Sequence, residues 1–195
     1  MRKLITLAAA GLILAFSSAQ ASAEMLVGLS YDMPLQYTLT DNKIGMTGTT
    51  NTVDSTSVYG SKIGVKVLFL PGIGIEKYTL TTKFKSGDKI KFDYMMYDLF
   101  FSLPVPIVHA ALGIGYGGVK AADQTIGGAV YGSRNTPIYQ YWASLGFPII
   151  PFFDIHVGYH VITAKDIKQI RNGTETTTKY DLSGKMVSLG MKFDF

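Results

Sequence analysis

The sequence predicts an all-β chain: an eight-stranded antiparallel up-and-down barrel that crosses a membrane, with an apolar exterior and a polar interior. Three observations predict it. Apolar residues alternate with small or polar ones through eight segments, the period of a strand with two unlike faces. Short proline turns alternate with long polar links between the segments. The less apolar face is built of residues small enough for a narrow interior.

The first segment, Met25 to Thr40, sets Met25, Val27, Leu29, Tyr31, Met33, Leu35, Tyr37 and Leu39 against Gly28, Ser30, Asp32, Gln36 and Thr38. The second, Ser57 to Leu70, sets Tyr59, Ile63, Val65, Val67 and Phe69 against Lys62, Gly64 and Lys66. The third spans Gly72 to Lys85 and the fourth Lys89 to Leu103. Both change parity partway. Ile73 and Ile75 give way to Tyr78, Leu80 and Phe84, and Phe92, Tyr94 and Met96 give way to Tyr97, Leu99 and Phe101. A β-bulge in each, which inserts one residue and flips the alternation, would account for the change.

The fifth segment, Ile107 to Gly117, alternates most cleanly, with Val108, Ala110, Leu112, Ile114 and Tyr116 on one face. The sixth runs from Ile138 to Phe147 and the seventh from Phe152 to Ala164. The eighth closes the chain with Val187, Leu189, Met191, Phe193 and Phe195 on one face and Ser188, Gly190, Lys192 and Asp194 on the other.

Proline ends strands because it fixes φ and cannot donate to a ladder. It marks turns at Leu70-Pro71-Gly72, Leu103-Pro104-Val105-Pro106 and Phe147-Pro148-Ile149-Ile150-Pro151. The polar links are residues 41–56, 119–137 and 165–180, with a short one near Ser86-Gly87-Asp88. Short turns on one rim and long loops on the other are the plan of a membrane barrel whose loops face the outside, and an even strand count puts both termini on the other rim. Alternation alone would equally suit a soluble barrel with its apolar face inside. Only 16% of the chain is charged, too little for a soluble exterior, so the apolar face is expected to meet lipid.

The two ends agree with export. Arg2 and Lys3 precede an apolar run from Leu4 to Phe16, and Ala21-Ser22-Ala23 has the small residues of a cleavage site. Residues 1–23 are therefore expected to be a cleaved signal peptide and residues 24–195 one barrel domain. About 13 apolar residues are too few for a transmembrane helix, which needs about 20. The chain has no Cys, which excludes a lipoprotein anchor, a disulfide framework and a thiolate metal site. Arg2 and Lys3 account for half of the formal net charge of +4, and the other cations are scattered. No basic stripe supports nucleic-acid binding.

Counting across the turns places charges inside the barrel. Pairing about Pro71-Gly72 sets Lys66 opposite Glu76, and the last pair of strands sets Asp154 opposite Lys192. Asp32 falls diagonal to Lys62 and Lys66, and Asp98 joins them in the later register of the fourth segment. Opposed and diagonal neighbours interact, and an unpaired charge in a dry interior is costly. A salt-bridged plug is expected.

His109, His156 and His160 line the same interior, with Asp154 placed to orient His156. His156 and His160 stand four apart, about 13 Å, so they do not share one metal ion. No Ser or Cys is expected beside them as a nucleophile. They read as members of a polar network, with no metal and no cofactor.

The closing run that ends on Phe195 resembles the C-terminal signal strand of bacterial outer-membrane β-barrels. With the signal segment, the eight segments and the proline turns, the chain from Glu24 to Phe195 resembles the small OmpA/OmpX-like outer-membrane β-barrel family. That resemblance implies a bacterial outer-membrane location among lipids and lipopolysaccharide, with periplasmic termini. It also implies insertion by the barrel-assembly machinery, which would read Val187, Leu189, Met191, Phe193 and Phe195 as its signal.

Fold does not determine function. The leading expectation is a non-enzymatic scaffold whose loops at 41–56, 119–137 and 165–180 meet an extracellular ligand. The alternatives are a narrow conduit for small or apolar molecules, as in OmpW-like barrels, and a lipid-modifying enzyme. Lipid A deacylases of similar size carry a His and a Ser two apart on a lipid-facing strand. Ala111, Gly158 and Ile162 occupy the positions two after His109, His156 and His160, so that pattern is absent.

Overall fold

A computed structural model describes residues 27–41, 43–46, 49–67, 70–103, 108–126, 129–150, 152–165 and 167–195. The segment expected to be a signal peptide, 1–23, lies outside the described residues, as does Phe69 of the second segment.

Every regular element among the described residues is a strand: β1 (Val27–Leu39), β2 (Lys43–Met46), β3 (Thr49–Val67), β4 (Gly72–Phe84), β5 (Lys89–Leu103), β6 (His109–Ala121), β7 (Gln124–Ile126), β8 (Ala129–Ser133), β9 (Thr136–Ile150), β10 (Phe153–Thr163), β11 (Ile167–Arg171), β12 (Thr174–Tyr180) and β13 (Gly184–Asp194). Eight of them form the barrel, in the order β1-β13-β10-β9-β6-β5-β4-β3 with β3 pairing back to β1. All neighbours are antiparallel. Where Val27 to Asp32 pair with Val67 to Lys62, closure leaves no free strand edge.

The parity changes in β4 and β5 are not bulges. Their ladder runs unbroken from Gly72 opposite Phe100 to Lys83 opposite Lys89. What changes is the surroundings. In the lower barrel the outward residues are apolar: Ile73 is 66% exposed, Tyr97 60% and Ile114 63%. In the upper barrel the outward residues of β4 and β5 are Thr79, Thr81, Lys83, Lys89, Lys91 and Asp93, while Leu80 and Phe92 point inward and are fully buried. Hydrocarbon outside demands an apolar exterior, and water outside demands an apolar core. This is the pattern expected of a strand that passes from hydrocarbon to water without changing register.

Bulges occur elsewhere. One sits in β1 between Pro34 and Gln36, against β13. It turns Tyr37 and Leu39 inward, correcting the expectation that they continue the outward face of Leu29, Tyr31 and Met33. Others fall in β3 at Val53 to Ser55 and where β10 meets β9. The upper core includes Tyr37, Leu80, Phe84, Phe92, Tyr94, Ile138, Ile162, Ile167, Tyr180 and Leu182. Tyr78 stacks on Tyr94 with ring centroids 4.6 Å apart.

The sixth segment extends past its expected end at Phe147 to Ile150, carrying Pro148 within the strand. Among the described residues the β6 ladder ends at Gly146, two residues before Pro148, where a proline removes no ladder donor. The stretches 41–56, 119–137 and 165–180 are not plain loops either. β2 pairs with the extended start of β3, and β12-β11-β8-β7 form a second, four-stranded sheet. Asn172 and Gly173 turn β11 into β12 with φ of 49° and 82°, the left-handed pair that a tight hairpin requires.

The β1–β3 ladder is short. It covers Val27 to Asp32 opposite Val67 to Lys62 and then stops, although both strands continue. Above it, beside Pro34, the Thr56 hydroxyl donates to the Tyr37 carbonyl at 2.5 Å.

Candidate functional site

The inward positions of the lower barrel are mostly polar, with Phe100, Ala111 and Trp142 packed among them, and the glycines make the room. A Cβ at Gly190 would fall 2.2 Å from His156, and one at Gly113 2.4 Å from the Trp142 ring. Small residues therefore let long polar side chains cross a narrow lumen.

Near the lower rim, Lys192 on β13 bridges Asp194 at 2.5 Å and Asp154 on β10 at 3.7 Å. Its ammonium lies 3.3 Å from His109 Nδ1 on β6. Asp154 stands opposite Lys192 in the ladder, as counted from the sequence. Lys66 is half-buried at the same end, opposite Gly28.

Deeper in, Lys62 on β3 is the hub. It is 3% exposed. Its ammonium pairs with Asp98 on β5 at 3.6 Å and sits 3.2 Å above the Trp142 ring. Gln140 Nε2 donates to Glu76 at 2.5 Å and to Asp98 at 2.8 Å. Trp142 Nε1 donates to Asp98 at 3.2 Å.

Two pairings differ from the sequence count. Glu76 stands opposite Lys62, not Lys66, because the chain reverses before Pro71 rather than at it; the Leu70 amide donates to the Val67 carbonyl. Asp32 is directly opposite Lys62, and Lys66 lies four residues further along.

The histidines lie inside but serve different partners. His156 Nε2 meets Asp32 at 2.7 Å, so Asp32 and not Asp154 orients it. Asp154 lies 3.8 Å from His109. His160 Nδ1 meets Gln140 Oε1 at 3.3 Å and Glu76 at 3.6 Å, and its Nε2 meets the Ser188 hydroxyl at 3.1 Å. These partners set the tautomer: Nδ1–H donates, and Nε2 accepts from Ser188.

Ser188 corrects the expectation that no nucleophile stands beside a histidine. Ser, His and Glu in line form the skeleton of an activated nucleophile. Here the skeleton lacks the rest of a site. Ser188 is 1% exposed, mid-strand between ladders to β1 and β10, where backbone N–H groups are committed and none forms an oxyanion hole. The void beside it, also lined by Pro34, Ser61, Glu76 and Tyr78, is about 10 Å³. A second void, beside His109, His156 and Lys66, is about 20 Å³. Neither holds more than a water or two. Among the described residues no group of three acidic or histidine side chains could hold a metal ion.

Gln140, Trp142 and Ser188 were not singled out as network members from the sequence. Their signal was present: each alternates onto the inward face of its strand. Val187, Leu189, Met191 and Phe193 lie on the outward face of β13, and Phe195 exchanges backbone hydrogen bonds with Val27.

No protein-family model matches the sequence, and no curated protein matches it significantly. Solved structures do match. The outer-membrane protein OprG from Pseudomonas aeruginosa aligns with a TM-score of 0.57 at 8% identity, over 89% of this chain and 98% of that one. The outer-membrane protein AlkL, solved by solid-state NMR in DMPC bilayers, aligns with a TM-score of 0.57 at 14% identity, over 90% of this chain and 92% of that one. Neisserial surface protein A aligns with a TM-score of 0.53 at 12% identity, over 89% and 98%. The fold is that of the small eight-stranded outer-membrane β-barrels.

Proposed function

We propose that the chain is a bacterial outer-membrane barrel with both termini periplasmic, acting as a non-enzymatic and non-conducting scaffold that holds a β-platform outside the cell. The filling of the barrel carries this reading. A paired polar network occupies the lower lumen and an apolar core the upper one, with voids of about 10 and 20 Å³ between side chains. Eight strands leave an interior just wide enough for side chains to fill. The sheet β12-β11-β8-β7 and the β2–β3 hairpin would form the surface offered to an extracellular ligand. Insertion by the barrel-assembly machinery and lipid or lipopolysaccharide surroundings belong to the same reading.

Planar-bilayer recording tests it. The purified barrel should show no steady discrete openings; a reproducible conductance would overturn the scaffold. Folded protein should also migrate differently when left unboiled, and lipid A masses should be unchanged on overexpression.

One observation favours a conduit for small or apolar molecules instead. The β1–β3 ladder stops at Asp32 and Lys62 beside Pro34, and one of the voids lies behind that seam. Uptake of a small apolar solute into liposomes that carry the barrel, without ion conductance, would select this reading.

A further inference from the structure

Register sets out the exterior of β4, β5, β6 and β9 row by row. Ile75, Tyr97, Tyr116 and Tyr139 stand side by side and top the apolar belt. Above that row the exterior turns basic. Lys77 lies opposite Met95, Lys120 opposite Asp93, Lys91 opposite Thr81 and Lys89 opposite Lys83. All five lysines are exposed. Lys91 and Lys120 are diagonal neighbours, about 7–8 Å apart.

Three carboxylates lie among them: Asp93 stands opposite Lys120, Asp88 next to Lys89 accepts a hydrogen bond from Ser86 at 2.9 Å, and Asp54 lies beside Lys83. Asp93 accepts a hydrogen bond from Thr79 at 2.8 Å, and Asp54 pairs with Lys83 at 3.7 Å. Lys77, Lys89, Lys91 and Lys120 make no ion pair among the described residues. Lys83 and Lys89 face each other directly, and Asp54 offsets the charge of Lys83 alone. The far side of the barrel differs: β10 and β13 present Val161, Thr163 and Val187 at this level, with Lys185 opposite Val161.

Height identifies the ligand class. From Lys77 to Lys83 the ladder climbs about 20 Å along the strand, or about 15 Å of height at the usual tilt. The polar headgroup layer of a phospholipid leaflet is only about 6 Å deep. A phospholipid phosphate would meet Lys77 and leave the upper lysines unused. A phosphorylated saccharide headgroup on acyl chains would reach all of them, its chains resting on the belt below.

We propose that this lysine face binds the phosphates of a membrane-anchored anionic glycolipid. The proposal rests on the outer-membrane reading.

The test uses the full folded barrel in detergent, titrated with rough lipopolysaccharide, the same material after dephosphorylation, phosphatidylglycerol vesicles and inorganic phosphate. Wild type should bind the phosphorylated lipopolysaccharide most tightly, with affinity falling as salt rises. The triple variant Lys77→Gln/Lys91→Gln/Lys120→Gln should lose about tenfold or more in affinity. Lys165→Gln/Lys185→Gln, on the other side, should bind as wild type does. Equal binding by the triple variant overturns the site. Equal binding of phosphatidylglycerol, or full competition by inorganic phosphate, overturns the glycolipid assignment. Unboiled gel migration reports folding. If the triple variant does not fold, the single variants Lys91→Gln and Lys120→Gln should each lose about threefold, and no loss in either is equally contradictory. Failure of the outer-membrane reading would look different: wild type would not insert into membranes at all.

Discussion

Lys62 shows at the residue scale how a lumen with almost no water keeps its charges. Its ammonium meets Asp98 and the Trp142 ring, and its backbone stands opposite Asp32 on one side and Glu76 on the other. Removing one partner of a buried pair leaves the other charged and dry, which costs about 3–5 kcal/mol, whereas replacing both is nearly neutral. Lys62→Met should therefore lower unfolding stability by roughly that amount, and Lys62→Met with Asp98→Asn should recover much of it. Urea unfolding in lipid vesicles measures both, and equal losses in the two variants would contradict the account. Some of this network was legible in the sequence. Asp154 stands opposite Lys192, as the count across the last pair of strands has it, because that ladder runs without a register shift; at its lower end the Phe153 and Phe193 rings lie tilted, with centroids 4.8 Å apart. Glu76 was misplaced by four residues because Pro71 follows the chain reversal instead of forming it. Ser188 was legible too: the count that sets Asp154 opposite Lys192 sets Gly158 opposite Ser188, which makes His160 its diagonal neighbour.

Strand order, number and most boundaries follow from alternation and proline position, so the elements were the most legible level. Where reading fell short, two physical signals had been mixed. Residues 165–180 look like a polar loop, yet Asn172-Gly173, between a run with two Ile and a Thr-rich one, is a hairpin signal, and β11 and β12 form around it. A parity change means either an inserted residue or a change of surrounding medium. In β1 it is the former and in β4 and β5 the latter. The β1–β3 seam has its own consequence. Above the end of the ladder at Asp32, the Thr56 hydroxyl makes a side-chain hydrogen bond between the upper strands. Thr56→Val keeps the shape and removes that bond. Amide exchange over residues 33–39 should accelerate severalfold, while residues 27–32 stay protected. Unchanged exchange over 33–39 would show that the seam is held by other means.

At the scale of the whole molecule, one barrel stands in two media. Its lower half is apolar outside and polar inside, and its upper half is the reverse, with a core that packs like that of a soluble protein. The halves should fail separately. Phe92→Asp places a charge in the upper core and should make the β11–β12 hairpin protease-sensitive, while the membrane half keeps its unboiled gel shift. The central claim is that the medium changes beside one continuous strand. Spin labels placed in turn at Phe101, Leu99, Tyr97, Met95, Asp93 and Lys91, the outward positions of β5, test it most directly. In lipid vesicles, collision with oxygen should dominate from Phe101 to Tyr97 and cross over near Met95. Collision with a water-soluble nickel complex should dominate at Asp93 and Lys91. If Asp93 and Lys91 were shielded from the nickel complex while Phe92 and Tyr94 met lipid, the strand would carry a bulge and the two-medium barrel would be wrong.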